Sequence, residues 1–167
     1  VILARLDRLP EPVKLTVKVA SVIGRLFSHD LLLRAHPVQP EGDLLTQQLD
    51  TLLQRDFARV EQPEPRRAYL FKHNITQEVV YQTLLADQRQ ELHFAVAQTI
   101  EGLQPENVED LALHYYNSDM LQEAVRSKAL HYLDAAGLRA KRDYANETAL
   151  NYFNRALEVE ERAGWLK

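Results

Sequence analysis

The stretch "FARVEQPEPRRAYLFK", residues 57–72, is the strongest constraint on the fold. Pro63 and Pro65 lie two residues apart within it, and neither ring tolerates a helix interior or a central strand. Before them, Phe57, Arg59 and Glu61 alternate with Ala58 and Val60; after them, Tyr69 to Phe71 read as extended. The segment is expected to be a β-hairpin with a proline-bearing tip. Almost everything else carries helical spacing, so the expected fold class is mainly α with one hairpin.

Ahead of the hairpin, "VILARLDRLP" reads as the tail of a helix stopped by Pro10. In "EPVKLTVKVASVIGRLF" Pro12 suits a first helical turn, Val13, Val17, Ala20 and Ile23 form the apolar stripe, and Gly24 ends it. "SHDLLLRAHP" reads as a short helix capped by Ser28 and closed before Pro37. "GDLLTQQLDTLLQRDF" is a third helix, with Leu45, Leu49, Leu52 and Leu53 on one face. Three helices followed by a hairpin is the order of a winged-helix domain.

Beyond the hairpin the expected helices are "ITQEVVYQTLL", "DQRQELHFAVAQTIEGL" (Asp87 as N-cap, Gly102 as stop), "NVEDLALHYYNS", "LQEAVRSKALHYLDAAGLRAKR" and "NETALNYFNRALEVEERAG". Ala112, Ala124, Ala129, Ala135, Ala136, Gly137, Ala149 and Ala156 recur where helices would cross, the small-residue pattern of stacked helical repeats. The expected division is a winged-helix-like module over 1–85 and an α-helical tetratricopeptide-like array over 86–167.

The chain has 167 residues, no cysteine and a net charge of -4. Disulfides and thiolate chemistry are excluded, a reducing, cytoplasmic setting is expected, and a globally basic nucleic-acid binder is disfavoured. No apolar run is long enough for a membrane span, so no membrane partner is expected. The first residues open inside an apolar pattern, the expectation being a piece of a larger protein.

The last helical pair resembles a tetratricopeptide repeat: Leu133, Ala136 and Gly137 match its first helix, and Ala149, Phe153 and Ala156 its second. The stretches "ARLDRLPEPVKLTVKVASVIGRLF", "YLFKHNITQEVVYQTLL" and "QRQELHFAVAQTIE" resemble the region after the ATPase core of bacterial STAND-type signalling ATPases, including those associated with adenylate or guanylate cyclase or transcriptional-regulator domains. That resemblance implies a non-catalytic regulatory fragment whose partners are an upstream nucleotide-binding domain of the same chain and a protein bound through the helical array. It implies no cofactor in the fragment, with ATP or ADP held upstream. Phe71, Lys72, His73 and Asn74 look similar to the strand-to-helix motif of that group whose histidine contacts ADP, with Lys72 in place of Met and Asn74 in place of Asp.

His73 has three readings: a phosphate contact, a structural residue that caps the next helix or packs under the hairpin, or a general base for which no nucleophile or orienting acid is in view. The other histidines show no metal-helix spacing, and Asp110 with His114 reads as a surface pair. Tyr115, Tyr116, Tyr132, Tyr144, Tyr152 and Phe153 read as packing between stacked helices; the sharper reading makes Tyr115, Tyr132, Tyr144 and Tyr152 a protein-interaction face. No phosphate-cradling "GxxxxGK[ST]" is present, so the fragment itself is not expected to be an enzyme. The alternative is a winged-helix DNA-binding transcriptional regulator reading bases through Gln47, Gln48 and Thr51. Asp43, Asp50 and Asp56 against Arg55 oppose it, and Arg66 and Arg67 could touch a phosphate backbone.

Overall fold

The computed structural model describes residues 1–63 and 65–164. The protein is mainly α, with a small three-stranded antiparallel sheet in its N-terminal half. It divides into two compact units, Val1–Val96 and a second that begins at Ala97.

In the first unit, α1 (Ile2–Asp7) is followed by α2 (Glu11–Ile23), with Pro12 in its first turn and Gly24, at φ 140°, as its C-cap. Val13, Thr16, Val17, Val19 and Val22 are β-branched and individually poor helix formers. All five are buried. Burying one such apolar side chain contributes roughly 1.5–3 kcal/mol, which outweighs a propensity deficit of a few tenths. Helix α2 meets α3, α4, α5 and the first strand, so it is the hub of this unit.

Residues Leu26–Ser28 form strand β1, a strand not among the expected elements, between the helix end at Gly24 and the α3 cap. Three residues are too few for alternation to show. The strand exists because β3 offers it an open edge: Leu26 pairs with Leu70, Phe27 with Tyr69 and Ser28 with Ala68. The buried Phe27 ring stacks on Tyr69 at 5.7 Å and leans on Phe71 at 5.5 Å. Ser28 then caps α3 (His29–Ala35), its Oγ accepting from the Leu31 N–H at 3.2 Å, as expected.

Helix α4 (Gly42–Gln54) buries Leu45, Leu49 and Leu52. It ends with Asp56 in the left-handed region (φ 60°), while Asp56 and Phe57 N–H groups return to the Leu53 and Leu52 carbonyls at 3.1 and 2.9 Å. This is a Schellman closure with Asp where Gly is usual. The hairpin follows: β2 (Ala58–Gln62) and β3 (Ala68–Phe71) pair antiparallel, and the sheet order is β1-β3-β2. A register shift between Val60 and Gln62 disrupts the alternation, and Val60 is exposed. Of the expected tip, Glu64 lies outside the described residues.

After β3 comes α5 (Asn74–Gln82), held to α2 where the Gln77 side chain donates to the Ser21 carbonyl at 2.6 Å. Leu84 is buried but lies past the helix, and Leu85 is exposed. Helix α6 (Ala86–Leu103) begins one residue before Asp87, so Asp87 lies in the first turn rather than at the cap, and Gln88 Oε1 accepts from the Leu85 N–H at 3.1 Å. Gly102 falls inside the last turn.

The second unit is built from the end of α6, α7 (Val108–Tyr116), α8 (Glu123–Arg142) and α9 (Asn146–Gly164). Of the small residues named above, Ala112, Ala129, Ala136, Gly137, Ala149 and Ala156 are buried, whereas Ala124 is exposed. Gly137 shows why smallness matters. A Cβ there would stand 2.6 Å from Phe153 Cε1 and 2.8 Å from Cζ. His114, expected at the surface beside Asp110, is 1% exposed, and burial pushes its pKa down to about 4. Asp110 is taken instead by Asn107, whose amide donates to Oδ2 at 2.6 Å.

Gly137→Ala is expected to destabilise the second unit by about 1–3 kcal/mol through overpacking, and Phe153→Leu in the same chain should recover part of the loss. Urea unfolding followed by far-ultraviolet circular dichroism reads both; an unchanged midpoint for Gly137→Ala would show that the helices separate without cost.

Candidate functional site

His73 stands at the N-cap of α5 with extended backbone (φ -134°, ψ 140°). Its carbonyl accepts from the Thr76 N–H at 3.0 Å, but its side chain makes no capping bond. The ring is exposed. His73 therefore occupies the cap position of the next helix through its backbone and not its imidazole, and its exposed ring does not pack under the hairpin. The first-turn N–H groups of α5 have no side-chain acceptor at the cap, leaving the partial positive end of a helix beside an exposed imidazole.

The neighbouring residues build a charged joint. Lys72 N–H donates to the Phe57 carbonyl at 3.0 Å, and Lys72 Nζ lies 2.6 Å from Asp56 Oδ1. Arg5 covers the Phe57 ring at 5.0 Å and donates to the Arg55 carbonyl. The Lys72 hydrogen bond and charge, with smaller contributions from Arg5 and His73, hold the Asp56 carboxyl below its usual range. One acid thus sits among three basic side chains. Lys72 is occupied by Asp56, whereas the His73 ring faces solvent.

In the second unit the four tyrosines of the interaction set differ in burial. Tyr115 is fully buried and Tyr132 is 9% exposed; their rings stack at 5.6 Å, 3° from parallel. Both hydroxyls donate to Glu101, Tyr115 to Oε2 at 2.8 Å and Tyr132 to Oε1 at 2.7 Å. Lys128 Nζ lies 2.5 Å from Oε2. Burial raises the Glu101 pKa, but the hydrogen bonds from Lys128, Tyr132 and Tyr115 and the Lys128 charge together hold it below normal. Burial, then the Glu101 bond and charge, pushes Tyr132 up to about 12 and Tyr115 higher still. Both carboxylate oxygens are used and both phenols stay protonated, so this cluster ties α6, α7 and α8 together. Glu101 and Lys128 escaped the sequence reading; an acid after Ile100 is too weak a signal without knowing that two tyrosines converge on it.

Tyr152 is half-buried, its pKa raised by burial first and then by Glu109. Tyr144 is different. It is 89% exposed and adopts φ 59°, a conformation uncommon for a bulky residue. Tyr144 N–H bonds to the Lys141 carbonyl at 3.2 Å and Ala145 N–H to the Ala140 carbonyl at 2.9 Å, a second Schellman closure that ends α8. With Ala135, Leu138, Lys141 and Arg142 it lines an open surface depression of about 710 Å³.

Among the described residues no cluster of three or more His, Asp or Glu side chains is placed to hold a metal ion, and no helix is long and apolar enough to cross a membrane. No family model, curated protein or solved structure matches the chain.

Tyr144→Gly is expected to raise the unfolding free energy by about 1 kcal/mol, because it removes left-handed strain from a side chain that buries little. Urea unfolding measures it. A loss of stability would show that the ring packs more than its exposure implies.

Proposed function

We propose that the chain is a non-catalytic regulatory and protein-interaction module of a larger signalling ATPase, relaying nucleotide state from a nucleotide-binding domain to an effector. The observation that carries this reading is His73: an exposed imidazole beside a helix start without a side-chain cap, the pairing that suits a phosphate. The order α2, β1, α3, α4, β2, β3 with β3 central supports a winged-helix-like module. Helices α7 to α9, packed in sequence with Gly137 against Phe153, support a tetratricopeptide-like array. The exposed Tyr144 with Leu138, Lys141 and Arg142 is the surface best suited to a protein partner.

The DNA-binding alternative loses ground in α4. Of its base-reading candidates, Gln48 is 6% exposed and turned inward. The Thr51 hydroxyl is spent on the Gln47 carbonyl at 3.0 Å. The exposed residues of that helix include Asp43 and Asp50, which repel a phosphate backbone.

The test is ADP affinity of the natural protein carrying its nucleotide-binding domain, as wild type and as His73→Ala. A charged hydrogen bond to phosphate is worth about 1.4 kcal/mol or more, so the variant should bind ADP about tenfold more weakly with unchanged folding. Equal affinities would remove His73 from the nucleotide and with it the basis of this reading.

A further inference from the structure

A groove of about 530 Å³ lies in the first unit between α2, the residues after α3 and α4, a size suited to a small molecule. Its walls are apolar, with Leu15, Val38, Pro40 and Leu44 among them. Val38 and Leu44 are exposed, at 68% and 48%. Its floor is a chain of buried polar groups whose directions can be worked out one from the next.

The Val38 N–H donates to His36 Nδ1 at 3.3 Å. That nitrogen is therefore the acceptor, and the proton of the neutral ring sits on Nε2. Burial favours the neutral ring by lowering the His36 pKa. Nε2 lies 3.2 Å from Thr16 Oγ1, so its N–H donates there. The Thr16 hydroxyl in turn donates to Gln48 Oε1 at 2.5 Å. That bond turns the Oε1 end of the Gln48 amide toward Thr16. The NH₂ end is left over. Gln48 is 6% exposed and lines the groove, and among the described residues its Nε2 has no hydrogen-bond partner.

The charge on the rim is uneven. Lys14 is paired with Glu11 at 2.7 Å. Lys18 lines the same groove and forms no salt bridge among the described residues, although it adds to the field that lowers Glu11. The groove therefore offers a neutral donor, the Gln48 amide, and a cationic one, the Lys18 ammonium, within apolar walls, while the Glu11 carboxylate on the rim is engaged by Lys14. An apolar occupant without an acceptor would use neither group, and a cationic one would face the ammonium groups.

We propose that this groove binds a small monocarboxylate with an apolar body, its carboxylate accepting from the Gln48 amide in the field of Lys18 and its body lying against Leu15, Val38 and Leu44. The site is separate from His73 and does not depend on the proposed function. Three probes of equal chain length discriminate head-group chemistry: octanoate, octanol and octylamine, each titrated into the chain and followed by ¹H–¹⁵N correlation spectra. Octanoate should shift the Gln48 side-chain amide and the Val38 backbone amide saturably, and bind about tenfold more tightly than octanol or octylamine. Lys18→Gln, a change on the rim that leaves the buried network untouched, should weaken octanoate about fivefold or more without altering octanol. Gln48→Met should do the same; if it unfolds the unit through the orphaned Thr16 hydroxyl, Lys18→Gln carries the test alone. Equal binding of all three probes, octanoate shifts confined to other residues, or an unchanged octanoate affinity in Lys18→Gln would overturn the proposal.

Discussion

A hydroxyl on the buried face of a helix must be satisfied from inside the protein, and Thr16 is that hydroxyl here. It is fully buried on α2. Left without partners it would cost about 1–3 kcal/mol. It accepts from His36 and donates to Gln48, and so ties α2, the residues after α3 and α4 to one another. The apolar side chains around it supply most of the stabilisation, but they are not directional. The hydrogen-bond chain is what selects one arrangement of these three segments. Much of the first unit follows from where α2 then lies. Strand β1 and helix α5 both pack on it, and α5 is anchored through Gln77 to Ser21. The position of His73, at the start of α5, is inherited from that anchoring.

The second unit relies on a different device. Its helices come close because small residues line their crossings, and the Gly137–Phe153 contact leaves no room for a methyl group. Close packing alone permits sliding, and Glu101 opposes it. One carboxylate holds two tyrosines and a lysine from α7 and α8, so a shift of any helix would strand a charged or polar group. Of the four tyrosines offered as an interaction face, Tyr115 and Tyr132 are spent on this tie. Tyr144, at the end of α8, is the one left outside.

Helical periodicity made most of this fold legible. The Pro12 start, the Ser28 cap and the Leu45–Leu49–Leu52 stripe are local features, and local features show in sequence. Strand β1 did not show, because three residues carry no period and its existence depends on the distant β3 edge. The ends of α4 and α8 did not show either. Both close through a left-handed residue, and the usual signal is glycine, whereas here Asp56 and Tyr144 stand in that position. The polar networks were least legible of all. Gln48 reads in the sequence as a candidate base contact and Thr16 stands out in no way, yet both are buried on the apolar faces of their helices. What meets them is decided by His36, 20 residues from Thr16 in the chain. His114 was misplaced for a related reason: four-residue spacing from an acid is a weaker determinant than the face of α7 on which the ring lies.

The most direct test of this account is the protonation state of His36, read from the nitrogen shifts of a uniformly ¹⁵N-labelled chain as the pH is lowered. His36 accepts from the Val38 N–H at Nδ1 and so has its proton on Nε2, and burial holds its pKa below that of an ordinary histidine. It should therefore remain the neutral Nε2–H form at pH values where exposed histidines are already charged, below about 6.5. Since an unfolded histidine takes up its proton first, the stability this residue contributes is present above that value and is lost as the pH falls toward the lowered folded pKa. An Nδ1–H tautomer, or a His36 that titrates with the exposed rings, would contradict the hydrogen-bond chain and the orientation of Gln48 that follows from it.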